Sequence, residues 1–230
     1  MTKARGVLLD LDGTLLDTAP DMARAVNVLR AEQALPALTL ADIRPHVSHG
    51  SNAVVRAGFP DAGAEEFARL RERFLQLYRD ALAVDTRLFD GFAQVLDCLD
   101  SQGVRWGIVT NKPGWLSVPL MQAIGLAGRA GCLISGDTLP VRKPDPLPLL
   151  TGAQQLGCPA EQALYLGDAL RDAQAARAAR MLAVGARYGY IGPEEDVSSW
   201  PVDGWIDTPG QLLDWVAVPS ADMRGQSSVP

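Results

Sequence analysis

The sequence predicts an α/β fold, a doubly wound parallel sheet carrying an inserted all-helical cap, and three observations predict it. A lone apolar strand, Gly6-Val7-Leu8-Leu9-Asp10, opens the chain. Residues 16 to 88 then carry helices and loops but no good strand. From Phe89 onward strand-like and helix-like segments alternate, the pattern of a parallel sheet with helices on both faces. That order gives a core at 1–15 and 89–218, a cap at 16–88, and a tail at 219–230 that is rich in Ser, Pro, Gly and Asp and has no periodicity.

The first strand is a continuous apolar run, as expected where a parallel strand is covered on both faces. A helix begins near Thr18, with Thr18 and Asp21 as a capping pair and Met22, Val26 and Leu29 on one face. Phe67, Leu70, Phe74, Leu77 and Ala81 recur at helical spacing and mark one amphipathic helix of about 19 residues. In the second half a helix over 92–102 stops at Gly103, a strand covers 105–110, and a helix over 113–124 closes at Gly125. Cys132-Leu133-Ile134 is a short strand, 146–156 a helix ended by Gly157, 163–166 a strand, 169–180 an Ala-rich helix and 181–184 a further strand.

Composition narrows the function. Lys plus Arg number 21 against 27 Asp plus Glu, a net charge of −6, and this balance repels phosphate backbones, which argues against a nucleic-acid partner. With 47% hydrophobic and 21% charged residues the 230-residue chain has the makings of a buried core. No run approaches the roughly 18 apolar residues of a membrane span. Cys98, Cys132 and Cys158 are widely spaced, with no metal-binding pattern, and read as reduced core residues. The expectation is a cytoplasmic protein with no membrane or nucleic-acid partner; its oligomeric state stays open.

Open parallel sheets bind ligands at the carboxyl ends of their strands, so the polar residues that follow each strand matter most. Strand one ends in Asp10-Leu11-Asp12-Gly13-Thr14. An EF-hand calcium loop is excluded, because Thr14 and Leu15 stand where that pattern wants Asx and Gly. Two carboxylates this close after a buried strand repel each other without a cation, although a plain acidic turn is the simpler alternative. The next strand end, Thr110-Asn111-Lys112, offers a hydroxyl and amides to an anion. Lysine is rare here, with only Lys3, Lys112 and Lys143, and Lys143 sits in the proline-held loop Val141-Arg142-Lys143-Pro144-Asp145-Pro146, aimed inward or simply solvated. The strand at 163–166 leads into Gly167-Asp168-Ala169-Leu170-Arg171-Asp172, where Asp168 as N-cap and Asp172 in the first turn are ordinary helix chemistry and also bring carboxylates to the sheet edge.

Taken together, Asp10-Leu11-Asp12-Gly13-Thr14, Thr110, Lys143 and Gly167-Asp168-x-x-x-Asp172 resemble, in order and spacing, the four motifs of the haloacid dehalogenase superfamily phosphatases. The resemblance spans about residues 5 to 216 and implies a Rossmann-like core; Arg180 departs from it, where relatives usually have Gly. It implies that Asp10 attacks phosphorus to give an aspartyl-phosphate, that Asp12 serves as acid and then base, and that Gly13 permits the turn aiming both. Thr110 with the Asn111 amide holds a phosphoryl oxygen, and Thr14 belongs to the same binding loop. An anionic nucleophile facing an anionic substrate needs cations: two unit charges about 4 Å apart repel by about 4 kcal/mol at an effective dielectric of 20, roughly three decades in rate. The resemblance implies Lys143 and Mg²⁺ for this, the metal held by Asp10, the Asp12 main-chain carbonyl and Asp168, with Asp172 nearby or through water.

Within the superfamily, Asp12 argues against dehalogenases, which need no proton for a halide, and the absence of lysine from 16–88 argues against imine-forming phosphonate cleavage. Sugar-phosphate mutases usually present a His in the first cap helix, where this chain has Asp17-Thr18-Ala19-Pro20-Asp21-Met22. A non-catalytic binding module sits poorly with a full set of catalytic residue types. Residues 17–27, Asn111-Lys112 and 142–146 look like the phosphoglycolate phosphatase branch. Residues 45–51 and 200–215 look more like the N-acetylmuramic acid 6-phosphate phosphatases of that branch. The expected substrate is therefore N-acetylmuramic acid 6-phosphate, in cell-wall amino-sugar recycling, with 2-phosphoglycolate as the alternative. Cap residues His49, Ser51 and Arg56 are expected to meet the sugar or its lactyl carboxylate, although His46 and His49 also suit a plain loop.

Overall fold

The computed structural model describes residues 3–217, so the expected tail lies outside the described residues. Strand β1 (Gly6–Leu9) leads through a tight turn to the short β2 (Leu16–Asp17), and four helices follow: α1 (Ala19–Glu32), α2 (Leu40–Ile43), α3 (Ser51–Gly58) and α4 (Ala64–Asp80). The chain returns through β3 (Arg87–Leu88) and then alternates as α5 (Phe92–Ser101), β4 (Arg105–Val109), α6 (Gly114–Ala123), β5 (Leu133–Ile134), α7 (Leu147–Gln155), β6 (Ala163–Gly167), α8 (Leu170–Ala178), β7 (Leu182–Ala186) and β8 (Gly204–Ile206).

Six strands pair in the order β5-β4-β1-β6-β7-β8, every pair parallel. Strand β1 is central, with Leu9 beside Ile108 on one side and Leu166 on the other. Its residues alternate between two apolar layers: Val7 and Leu9 join the larger cluster, while Leu8 joins the cluster under α7. Burial on both faces is why β1 reads as an unbroken apolar run. The larger cluster continues into the helices through Leu29, Val54 and Phe74, where α1 packs on α4 and α4 on α3.

Several expectations are corrected. The stretch 16–88 is bounded by strands after all, because Leu16 pairs antiparallel with Leu88 and Asp17 with Arg87; two-residue strands carry no periodicity to detect. Thr18 occupies the N-cap of α1 but makes no capping bond, since its hydroxyl donates to Asp12 Oδ1 at 2.7 Å. Asp21 instead accepts from the Asp85 N–H at 2.9 Å and from the Thr86 N–H and hydroxyl at 3.0 and 2.7 Å, tying α1 to the segment before β3. The buried stripe of α4 is Leu70, Phe74 and Tyr78, and the helix has 17 residues. An eighth strand, β8, follows the last expected one and pairs parallel with β7.

Candidate active site

Because β1, β4 and β6 are neighbours, their carboxyl ends bring Asp10, Thr110 and Asp168 to one edge of the sheet, at the point where the connections depart to opposite sides. The Asp10 N–H still donates to the Leu166 carbonyl at 2.9 Å, so the strand ladder fixes this residue. Beyond it the chain turns at once, with the Gly13 N–H donating to Leu16 O at 3.0 Å. Gly13 has a φ of +81°, and a Cβ there would lie 2.1 Å from Asp168 Oδ2. The turn therefore needs glycine both for its dihedral and for room.

Asp10 is buried, and its Oδ1 receives the Leu11 N–H at 2.8 Å and lies 2.9 Å from Lys143 Nζ. Oδ2 takes no hydrogen bond from the described residues. The Lys143 ammonium also lies 2.8 Å from Asp172 Oδ1 and donates to the Tyr165 hydroxyl at 2.6 Å, which in turn donates to Val109 O. The loop that carries Lys143 is clasped to the end of β4: Asn111 Nδ2 donates to Lys143 O at 3.0 Å, and the Lys143 N–H donates to Asn111 Oδ1 at 3.1 Å. The Asn111 side chain is thus engaged in positioning Lys143. Thr110 accepts the Lys112 N–H on its hydroxyl oxygen at 3.1 Å, which leaves its own O–H to donate toward the cavity.

Asp12 is held at one oxygen, Oδ1, by Thr18 and by Lys112 Nζ at 2.9 Å. Lys112 is buried and also donates to the hydroxyl of Tyr78, at 3.0 Å, from helix α4. Burial opposes the charge on Lys112, but Asp12 and Tyr78 outweigh it and hold its ammonium above the usual lysine range. Asp168 uses both oxygens: Thr14 donates to Oδ1 at 3.2 Å, and Ser48 and the Tyr190 N–H donate to Oδ2 at 2.6 and 2.8 Å. It is not the N-cap of α8, as the strand-to-helix spacing had suggested. Ala169 takes that position with extended backbone, and Asp172 accepts its N–H at 3.0 Å.

Asp10, Asp168 and Asp172 place carboxylate oxygens within 4.8 Å of one another, all buried. Burial, only partly offset by Lys143, pushes the Asp10 carboxyl up to about 6, and burial with repulsion from Asp10 and Asp172 pushes Asp168 up to about 7. Asp172 Oδ1, at ion-pair distance from Lys143, lacks an aligned hydrogen-bond partner. A buried oxygen-only donor set with more negative charge than its one lysine can balance fits a hard divalent cation such as Mg²⁺.

A cavity of about 630 Å³ opens over these groups, between the α1–α4 helices and the sheet edge, with Asp10, Asp12 and Thr110 in its wall. Of the expected cap contacts, His49 and Ser51 line it. His49 Nε2 lies 3.5 Å from Glu195 Oε1, and burial together with the Arg171 charge lowers its tendency to protonate. Arg56 is not at the cavity: it donates to the carbonyls of Pro60 and Ala62 and stacks over Phe67, 4.2 Å from the ring centre. Trp200 and Trp205 pack together at edge strand β8, and none of the tryptophans in 200–215 lines the cavity. Sequence reasoning missed the roles of Lys112, Ser48, Arg171 and Tyr78. Lys112, Ser48 and Arg171 stood inside the quoted clusters, whereas Tyr78 was hidden among the apolar spacings of its helix. Arg171 donates to the Ser48 carbonyl, so the loop before α3 is held against the sheet edge from two sides.

The family profile described as haloacid dehalogenase-like hydrolase matches residues 7–186. A phosphoglycolate phosphatase of Xanthomonas campestris pv. campestris strain 8004 is 45% identical over 215 residues, 94% of this chain and 97% of its own. An N-acetylmuramic acid 6-phosphate phosphatase of Pseudomonas aeruginosa is 39% identical over 213 residues, 92% of this chain and 94% of its own. The crystal structure of a predicted phosphoglycolate phosphatase from Haemophilus somnus 129pt superposes with a TM-score of 0.81 at 26% identity, covering 93% of this chain and 98% of that one.

Proposed function

The chain belongs to the haloacid dehalogenase-like hydrolases, and on that premise we propose that it is a Mg²⁺-dependent phosphomonoesterase with N-acetylmuramic acid 6-phosphate as its preferred substrate. The observation that carries the reaction is the pair Asp10 and Asp12, each held at one oxygen and each with the other oxygen free of hydrogen bonds from the described residues. Asp10 Oδ2 attacks phosphorus, the new O–P bond forms, and the bond to the leaving oxygen breaks while Asp12 donates a proton to that oxygen. Asp12 then takes a proton from the water that hydrolyses the aspartyl-phosphate. The Thr110 hydroxyl donates to a phosphoryl oxygen, and Lys143 balances the negative charge around Asp10. The carboxylates of Asp10, Asp168 and Asp172, with the Asp12 main-chain carbonyl, would hold the Mg²⁺, which when bound neutralises charge on the transferring group.

The cavity supports a sugar-sized substrate: about 630 Å³ lies in the range that encloses a drug-sized molecule, well beyond a two-carbon phosphate. A second reading, 2-phosphoglycolate, is favoured by the name of the 45%-identical Xanthomonas relative. Comparing kcat/KM for the two substrates decides between them, and 2-phosphoglycolate in the lead would reverse the preference. Asp10→Asn should abolish a phosphoenzyme detectable by mass spectrometry, and phosphate trapped on any other residue would overturn the mechanism.

A further inference from the structure

The same cavity is also lined by Asn52, Arg71 and Leu75 of the cap and by Trp115 and Arg142 of the core, and the exposure of Asn52, Arg71, Trp115 and Arg142 places them at its rim. Its four lysine and arginine residues fall into two kinds. Lys112 is paired with Asp12, and Arg171 is bonded to the Ser48 carbonyl. Arg71, by contrast, has no hydrogen-bond or ion-pair partner among the described residues, and Arg142 commits only Nε, to Gly136 O at 2.6 Å. The acid on this rim, Asp137, takes the Gly114 N–H on Oδ1 at 2.8 Å and pairs with neither arginine. Two guanidinium groups with uncommitted donors thus border one cavity of a chain whose net charge is −6. Both arginines are exposed, and what they offer is geometry: a guanidinium fork matches the two oxygens of a carboxylate.

We propose that Arg71 and Arg142 form a carboxylate-reading subsite, and that the substrate class is a phosphorylated sugar acid whose ring spans the distance from Asp10 to this rim. The inference rests on the phosphatase reading above and sharpens it, because the cap contact with the acid group passes from Arg56 to Arg71. Trp115, on the same rim, supplies an apolar surface beside the sugar ring.

The test compares N-acetylmuramate 6-phosphate with N-acetylglucosamine 6-phosphate, its twin without the lactyl carboxylate, in the parent and in Arg71→Gln, Arg71→Lys and Arg142→Gln. The ratio of the two kcat/KM values is the readout, so a general loss of fold or activity cancels. The parent should favour the acid by on the order of 100-fold. Arg71→Gln should cut that ratio at least about tenfold, chiefly through KM, Arg71→Lys should restore part of it, and Arg142→Gln should act in the same direction. A parent that treats the twins alike, or a ratio unchanged in Arg71→Gln, overturns the subsite. If the parent turns over only 2-phosphoglycolate, the substrate reading of the previous section fails. The subsite then stands if N-acetylmuramate 6-phosphate inhibits that reaction more tightly than its twin in the parent but not in Arg71→Gln, and falls otherwise.

Discussion

A buried ammonium needs close counter-charge, and Lys112 finds it in Asp12 while touching Tyr78 from the cap. Lys112→Met should leave Asp12 with Thr18 alone and lower kcat on alkyl phosphates by roughly 10- to 100-fold through loss of aim. The loss on p-nitrophenyl phosphate should be smaller, since nitrophenolate departs without a proton; equal losses on both would mean that Lys112 serves only the fold. Asp21 is the structural counterpart. Burial opposes its ionisation, yet the bonds from the Thr86 hydroxyl, the Asp85 N–H, Arg24 and the Thr86 N–H outweigh this and hold its carboxyl below the usual range. A depressed folded value means a contribution that is full above the unfolded carboxylate value and lost as pH falls through the folded one. Denaturant unfolding should therefore show the parent more stable than Asp21→Asn at pH 7, with the gap closing below about pH 4; a gap unchanged at pH 3 would contradict the assignment. Three of the four clusters were legible because each follows an apolar strand directly; the fourth, around Lys143, begins seven residues after β5 and showed itself through its prolines and its rare lysine. Arg56 misled because five residues along a helix turn it about 140° from Ser51, onto another face.

The same helix ending recurs through the core. Helices α5, α6 and α7 each close with a residue of positive φ, Gly103, Gly125 and Gly157, whose N–H and that of the next residue bond back to carbonyls inside the helix. Helix α8 closes identically, with the Arg180 N–H on Arg177 O at 3.1 Å and the Met181 N–H on Ala176 O at 3.0 Å, but it places Arg180 at a φ of +60°. An L side chain in this region costs about 1 to 2 kcal/mol, partly offset by the greater unfolded freedom of glycine. Arg180→Gly should raise unfolding stability by about 0.5 to 1 kcal/mol without changing kcat; a destabilised variant would show that the Arg180 side chain has a packing role. The departure from the family pattern at this position was visible in the sequence, and so were β1, β4, β6 and β7, whose apolar runs come from burial on both faces. Strands β2 and β3 were not, because two residues each carry no pattern, and Gly204-Trp205-Ile206 is too short to announce β8.

Across the molecule, the alternation of strands and helices made the architecture legible, whereas the proposed substrate end was not, because it is assembled from α3, α4, the start of α6 and the loop after β5, far apart in sequence. The crowding of three buried carboxylates makes a global prediction. Mg²⁺ binding to the folded state alone stabilises by about 2.7 kcal/mol at one hundred times Kd, which for a chain of this size raises the melting temperature by about 5 to 10 °C. Calorimetry with and without Mg²⁺ measures it, and the shift should vanish in Asp168→Asn; an equal shift in that variant would move the metal elsewhere. The clasp between Asn111 and the Lys143 backbone also matters to anyone exchanging segments between relatives. Residues 110–112 and 141–146 interlock through one amide, so a graft of either stretch keeps both bonds only where Asn stands at 111 and the backbone of residue 143 holds its place. These two loops are a single transplantable part, though some thirty residues separate them in the chain.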